Sequence, residues 1–425
     1  MKIEQSAQNL NPFGGINFVV NTLRKNHIDE FIDTELGKRA PQAVYSNSDV
    51  VISFMLLQLC GGECAEDMNR HFRKYLQSTP DINIPSGDTI LETFKSLKTP
   101  THTFESKHVV RHQFNIHEDL NRTLIRLNKK IGLLREGEDY TYDYDNQVIP
   151  TEKYDAMRTY KKGDGYQPGV ATIGAQIVYI ENRNGNSQAK YLQHETLERS
   201  YKLLEEEGIT IGRSRMDSAS FQKEVIEVVK KYSKKFYIRA MRCDYMEERM
   251  HEVKEWKTIT INYQKWEVAS MDYAPFGGDE TYRLVISRQP RTDKQGNLLT
   301  GDHYLYRGIL TNDDETSEQE VIEFYNQRGG QEKVFDVMNN DFGWAKLPFS
   351  FMNENTVFLL VTAMSKSIYT WLVQLYSAKV DFVEAKGRLK KFIFHFITVC
   401  SKWVKRGRQY VLRLFTEKDF APLLK

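Results

Sequence analysis

The segment Tyr140-Thr141-Tyr142-Asp143-Tyr144-Asp145 constrains the fold more than any other stretch of this chain. Tyrosine alternates with a polar residue, and a period of two predicts a β-strand with one face in a core. The same period puts Asp143 and Asp145 on one face. Acids are poor strand residues. Two of them on one face near a strand's end need solvent, a partner or a metal, and an exposed edge strand is the plain alternative.

Two further acids sit in unusual places. Ile209–Met216 reads as a strand that ends in Asp217-Ser218-Ala219-Ser220, before a helix predicted over 220–232. In open α/β sheets, ligands bind at the carboxyl ends of strands; a simple helix cap at Asp217 or Ser218 is the other reading. The third acid is Glu332, in Tyr325-Asn326-Gln327-Arg328-Gly329-Gly330-Gln331-Glu332. This stretch lies in a helix predicted over 317–338, with Ser317 and Glu320 as a capping box. At about 100° per residue, Arg328 falls about 300° and Glu332 about 340° from Tyr325. A phenol, a permanent cation and an acid thus share one stripe, as binding both metal and phosphate requires. A surface pair between Arg328 and Glu332 is the plainer reading.

The remaining chain supplies context. Residues 1–130 read as short helices separated by turns at Gly14-Gly15, Pro41, Gly61-Gly62 and Pro85-Ser86-Gly87. They suit a helix-turn-helix-like DNA reader or any small bundle. Val170–Ile180 and Ser187–Leu192 read as strands joined at Asn184-Gly185. A loop over 151–169 contains Lys161-Lys162-Gly163-Asp164-Gly165 but no Gly-Lys-Ser/Thr, which excludes a P-loop. Strands recur over 256–311, broken at Gly277-Gly278 and Gly296-Asn297. An apolar helix predicted over 355–376 reads as core. No apolar run is long enough to span a bilayer, and residues 1–11 lack a signal-peptide core, so the expectation is a cytoplasmic protein with no membrane partner. Cys60, Cys64, Cys243 and Cys400 have no second pair at zinc-ligand spacing and read as free thiols.

Charge is uneven. The whole chain carries only +2, yet residues 384–425 hold 11 Lys/Arg against 3 Asp/Glu. Leu389, Phe392, Ile393, Phe396, Ile397, Cys400, Trp403 and Val404 follow helical spacing. Arg388, Lys390, Lys391, Lys402 and Lys405 flank that stripe, and Arg406, Arg408 and Arg413 continue it. A basic amphipathic helix that contacts phosphates is expected, with a solvated face or a membrane-surface helix as alternatives.

Strand, helix, strand, helix, strand and a late acid-bearing helix give the order of an RNase H-like fold. Three carboxylates brought together can hold two divalent cations about 3.5–4 Å apart, and magnesium suits oxygen ligands. The sequence resembles the DDE-type transposases of bacterial insertion sequences, in the group whose last catalytic helix reads Tyr-x2-Arg-x3-Glu-x6-Lys. Tyr325, Arg328 and Glu332 match at that spacing, while Asn339 stands where the group has Lys. Lys333 and Lys346 are nearby cations off the pattern. Asp145-Asn146-Gln147-Val148 fits the first acidic motif best, with Asp143 its rival. Arg215-Met216-Asp217-Ser218 resembles the second, and Pro85-Ser86-Gly87-Asp88-Thr89 resembles the group's N-terminal turn.

The resemblance implies three regions. Residues 1–130 form a helical DNA-binding region. Residues 131–350 form an RNase H-like α/β catalytic domain with a β-rich insertion at about 241–312. Residues 351–425 form a helical, basic C-terminal region. It further implies that Asp145, Asp217 and Glu332 hold two Mg²⁺ or Mn²⁺ ions. Tyr325, Arg328, Lys333, Arg388, Lys391, Lys402, Lys405, Arg406 and Arg408 would contact DNA. The expected activity is cleavage at terminal inverted repeats and strand transfer into target DNA, by a homodimer on double-stranded DNA. The alternatives are a transposase-derived DNA-binding protein that does not cut, and a nuclease without strand transfer.

Overall fold

Tyr142 and Tyr144 are completely buried, as the alternation in their strand requires. The computed structural model describes residues 1–4, 8, 10–80, 82–107, 109–241, 243–278, 280–290 and 304–424; the break expected at Gly296-Asn297 lies outside them. In chain order the strands begin with β1 (Thr101–Glu105), β2 (Arg111–Asn115) and β3 (Asp139–Asn146). The short β4 (Ile149–Pro150), β5 (Met157–Arg158) and β6 (Asp164–Tyr166) form a small sheet of their own. Then come β7 (Gly169–Ile173), β8 (Gln176–Arg183), β9 (Thr210–Met216) and β10 (Ser233–Arg239). Next are β11 (Lys257–Ile261), β12 (Gln264–Tyr273), β13 (Tyr282–Pro290) and β14 (Tyr304–Thr311). Last is a hairpin of β15 (Cys400–Arg406) and β16 (Gln409–Phe415).

The main sheet has eleven strands in the order β1-β2-β8-β7-β3-β9-β10-β14-β13-β12-β11. At its centre β3, β9 and β10 run parallel, while β7 is antiparallel to both β3 and β8. Parallel neighbours need crossover connections. Here these are the helices Gln193–Glu206, between β8 and β9, and Lys223–Tyr232, between β9 and β10. Both pack with Tyr142 and Tyr144 on one side of the sheet. Ile177, Ile180 and Val170 face the other core, shared by the N-terminal helices, Glu118–Lys130 and the long helix Met352–Ser377. Each fully buried Leu or Phe there contributes roughly 1.5–3 kcal/mol. That long helix has 26 residues and is apolar enough to cross a bilayer by composition, but 89% of its most apolar window is buried inside the fold.

Four expectations change. Residues 1–130 are not wholly helical: β1 and β2 extend the main sheet at one edge. Nor do the N-terminal helices stand apart, since Ile16, Leu57 and Phe94 share one core with Leu359 and Leu372. The β-rich block is no separate sheet either. Strand β14 pairs with β10, so β11–β14 continue the central sheet outward. The hairpin expected at Asn184-Gly185 forms instead at Gly174-Ala175, between β7 and β8, where Gly174 takes a φ of +58°. The Asn184 side chain donates to the Asp155 carbonyl rather than closing a hairpin.

The C-terminal region departs most. The expected basic amphipathic helix ends by Ile397, and residues 400–415 form the β15–β16 hairpin. Lys402, Lys405 and Arg406 therefore lie on a strand, and Arg408 lies in the turn that follows. Thr398 and Val399 are β-branched, and Gly407, with φ +62°, permits the tight turn. Ser401 pairs with Asn11 backbone to backbone in both directions at 2.8 Å, a partner 390 residues away in the sequence.

Candidate active site

Strands β3 and β9 set the site. Their parallel register pairs Asp143 with Arg215 and Tyr144 with Met216. The next residue on each side is an acid, Asp145 and Asp217, so both carboxylates emerge at the same end of adjacent strands. Asp217 Oδ1 also accepts from the Ala219 N–H at 3.0 Å, so the capping role is real. Burial pushes the Asp217 carboxyl above its ordinary range; the charge on Asp145 adds to that shift and Arg328 opposes it. Capping alone does not bring a second acid beside it.

The two acids of β3 have separate partners. Asp143 is buried and receives a two-pronged contact from Arg215, Nε and Nη2 each at 2.7 Å. Arg215 also donates to the Phe324 carbonyl at 2.6 Å, tying β9 to the helix Glu318–Asn326. Asp145 is only partly buried and receives Arg328 Nη1 at 3.0 Å. Its other oxygen accepts from the Asn146 N–H at 2.8 Å.

The late helix crosses this end of the sheet in two pieces. The capping box forms as expected, with Ser317 and Glu320 exchanging hydrogen bonds. The helix Glu318–Asn326 then tightens into a 3₁₀ turn, Gln327–Gly329, before Gly330–Asp341 resumes. A 3₁₀ turn advances about 20° more per residue than an α-helix, so the second helix is turned by roughly 60° relative to the first. Tyr325 is buried and donates to the Met216 carbonyl at 3.1 Å, beside Asp217. Arg328 meets Asp145 and not Glu332. Gln331 donates to the Val170 carbonyl at 3.0 Å, and Val170 is the cross-strand partner of Asp145. Gln147 donates to Asn339 at 2.8 Å, so the residue at the group's Lys position helps hold the helix to the sheet.

Glu332 is exposed, as is Lys333. Among the described residues no group of three or more His, Cys, Asp or Glu side chains is close enough to hold a metal ion. The structure therefore brings together Asp145, Asp217, Tyr325 and Arg328, and leaves Glu332 outside. The donors present still fit a hard divalent cation. Two carboxylates adjoin, and the buried side-chain oxygens of Asn146, Gln147 and Gln331 have no hydrogen-bond partner. Paired carboxylates at one end of a sheet favour a hard cation.

The other expected DNA contacts divide. Arg388 is tied to Asp341 at 2.7 Å and Asp336 at 2.6 Å, and Lys391 to Glu384 at 2.9 Å. Lys346 pairs with Glu63. Lys405, Arg406 and Arg408 are exposed and Lys402 half-exposed. Sequence reasoning missed Gln331, Gln147 and the Arg215–Asp143 pair. Parallel pairing of the two acid-bearing strands was the available signal for the last of these.

Comparison with known proteins gives three findings. A family profile described as Transposase DDE domain group 1 matches residues 1–424. Among solved structures, the chain is similar to a piggyBac transposase synaptic complex with hairpin DNA, determined by cryo-EM. That match has 10% identity and a TM-score of 0.44, and covers 91% of this chain and 79% of the other. The comparison with curated proteins found no match.

Proposed function

This chain belongs to the transposase DDE domain family, group 1, and on that premise we propose that it cuts and joins DNA at the ends of a mobile element of the bacterial insertion-sequence kind. The observation that carries this reading is the emergence of Asp145 and Asp217 side by side at the ends of β3 and β9, with Arg328 on Asp145. The strand order β8-β7-β3-β9-β10, with β7 alone reversed, is read as an RNase H-like core.

Asp145 and Asp217 hold the divalent metal, Mg²⁺ or Mn²⁺, and Glu332 completes the set in the DNA-bound state. When bound, such ions stabilise charge on the phosphoryl oxygens and lower the pKa of the attacking water or 3′-hydroxyl. Arg328, a planar fork with five donors, binds the phosphate at the DNA end. Tyr325 fixes the strand end before Asp217 and so the direction of that carboxylate. Arg215 locks Asp143 and leaves Asp145 as the first acid. Two element ends must be joined, so the working unit is a dimer on double-stranded DNA, with the terminal repeats and a target as substrates.

The exposed position of Glu332 and the Asn339 departure favour a second reading, a DNA-binding protein that no longer cuts. Linear DNA carrying the sequences that flank this chain's gene separates the two. With Mg²⁺ or Mn²⁺, nicking at the element end is expected on a denaturing gel, and EDTA or Glu332→Gln abolishes it. Binding without nicking in either metal moves the assignment to the second reading.

A further inference from the structure

We propose that the β15–β16 hairpin is a DNA-reading ribbon that enters the major groove of the duplex; this rests on the transposase reading above. The argument starts from which face of the hairpin is covered. Ser401, Trp403, Leu412 and Leu414 point one way. Ser401 pairs with Asn11, Trp403 Nε1 donates to Asn17 at 3.0 Å, and Leu412 and Leu414 pack on the helical core. The period of two then turns Lys402, Val404, Arg406, Val411 and Arg413 to the opposite face. Burial falls along the hairpin from Ser401, at 1% exposure, to Tyr410, at 60%. The root is anchored and the tip stands clear of the body.

The charge on this ribbon is unbalanced. Lys402, Lys405, Arg406, Arg408 and Arg413 lie between Thr398 and Thr416 with no acid among them. Among the described residues none of the five has an acidic partner, whereas Arg388 and Lys391 just upstream are paired. Lys402 and Arg413 even face each other directly across the strands. Like charges placed that way destabilise a sheet. Among the described residues no carboxylate offsets that cost, and a polyanion would.

Shape and side-chain chemistry select the polyanion. Two strands about 4.8 Å apart make a ribbon that a major groove about 12 Å wide admits. Seven-residue strands, at about 3.3 Å per residue, reach roughly 20 Å. Three of the five cations are arginines, whose fork matches the O6 and N7 edge of guanine as well as phosphate. Val404 and Val411 between them are small enough to lie against thymine methyl groups. On that face Phe415, at the root, is the one large apolar side chain that is exposed, whereas a membrane-surface element would carry several.

The test uses the full chain and a fluorescein-labelled duplex from the flanks of its own gene, with anisotropy measured across a salt series. For the triple variant Arg406→Ala, Arg408→Ala, Arg413→Ala, affinity is expected to fall at least about tenfold. The slope of log K against log salt should become shallower by about 2–3, since each lost phosphate contact removes roughly 0.9. Methylation of guanine N7 should block binding, while distamycin in the minor groove should not. All three residues are exposed, so an unchanged melting temperature shows the fold intact. Unchanged affinity and slope overturn the ribbon, as does inhibition by distamycin alone, or binding to phosphatidylserine vesicles in preference to the duplex. If the wild-type chain nicks the duplex while the triple variant binds normally, only the ribbon falls. If the wild type neither binds nor nicks, the transposase reading falls with it.

Discussion

Asp143 and Asp145 sit two residues apart on one face of one strand, and each meets an arginine, yet the two pairs are built differently. Asp143 and Arg215 are 5% and 8% exposed and share two contacts at 2.7 Å. Asp145 and Arg328 are 21% and 16% exposed and share a single contact at 3.0 Å. The first pair joins neighbouring strands and has no room to exchange partners. The second joins a strand end to a helix interrupted at Gln327–Gly329, and a neighbouring acid, Asp217, lies beside it. A buried, doubly bonded pair is part of the frame. A half-open, singly bonded one can release its cation to another anion and accept another cation.

The largest effect should come from breaking the frame. Asp143→Ala leaves the Arg215 guanidinium buried without its carboxylate, which costs about 3–5 kcal/mol; chemical denaturation should show it as a lower midpoint. Loss at Asp145 should act on chemistry instead. Asp145→Asn or Asp217→Asn should lower nicking by at least about 100-fold, and neither should lower the unfolding midpoint as Asp143→Ala does. A comparable stability loss at both sites would erase the distinction between the pairs.

The pH response sharpens it further. Burial and the Asp145 charge raise the Asp217 carboxyl above its unfolded value. Between those two values the folded state binds more protons than the unfolded one, so this group's contribution to stability diminishes as pH rises through the window. Asp217→Asn should therefore stabilise the metal-free protein at neutral pH, with the gain shrinking as the solution is acidified. Thermal melts in EDTA across a pH series would reveal it. A smaller effect on folding than at Asp143 is expected at Arg328. Arg328→Ala should destabilise the chain less than Asp143→Ala and tighten Mn²⁺ binding to the DNA-free chain, followed by the free-ion EPR signal. Arg213→Gln removes an equal charge from β9 without touching Asp145 and should not reproduce that tightening.

Much of this was legible in local sequence. The tyrosine alternation of β3, the strand ending before Asp217 and the Ser317–Glu320 cap all depend on neighbours within a few residues. The Asp143 and Asp145 alternatives were not separable by period, because both lie on the same face. Pairing with β9 distinguishes them, since it sets Arg215 beside the first and Asp217 beside the second. Glu332 shows the same limit from the other side. Helical phase placed it on the stripe of Tyr325 and Arg328, yet in the fold it is exposed and, among the described residues, forms no cluster of three with the strand-end acids.

The sequence by itself determined the periodic elements, the acids at their ends and the basic bias of the last forty or so residues, because side-chain period and charge are properties of a local stretch. Tertiary structure alone decided that residues 400–415 form a ribbon. Their apolar spacing fits a helix nearly as well, and the choice is made by Asn11, Asn17 and the core beneath Leu412 and Leu414. Those partners are hundreds of residues away, where no local pattern can register them.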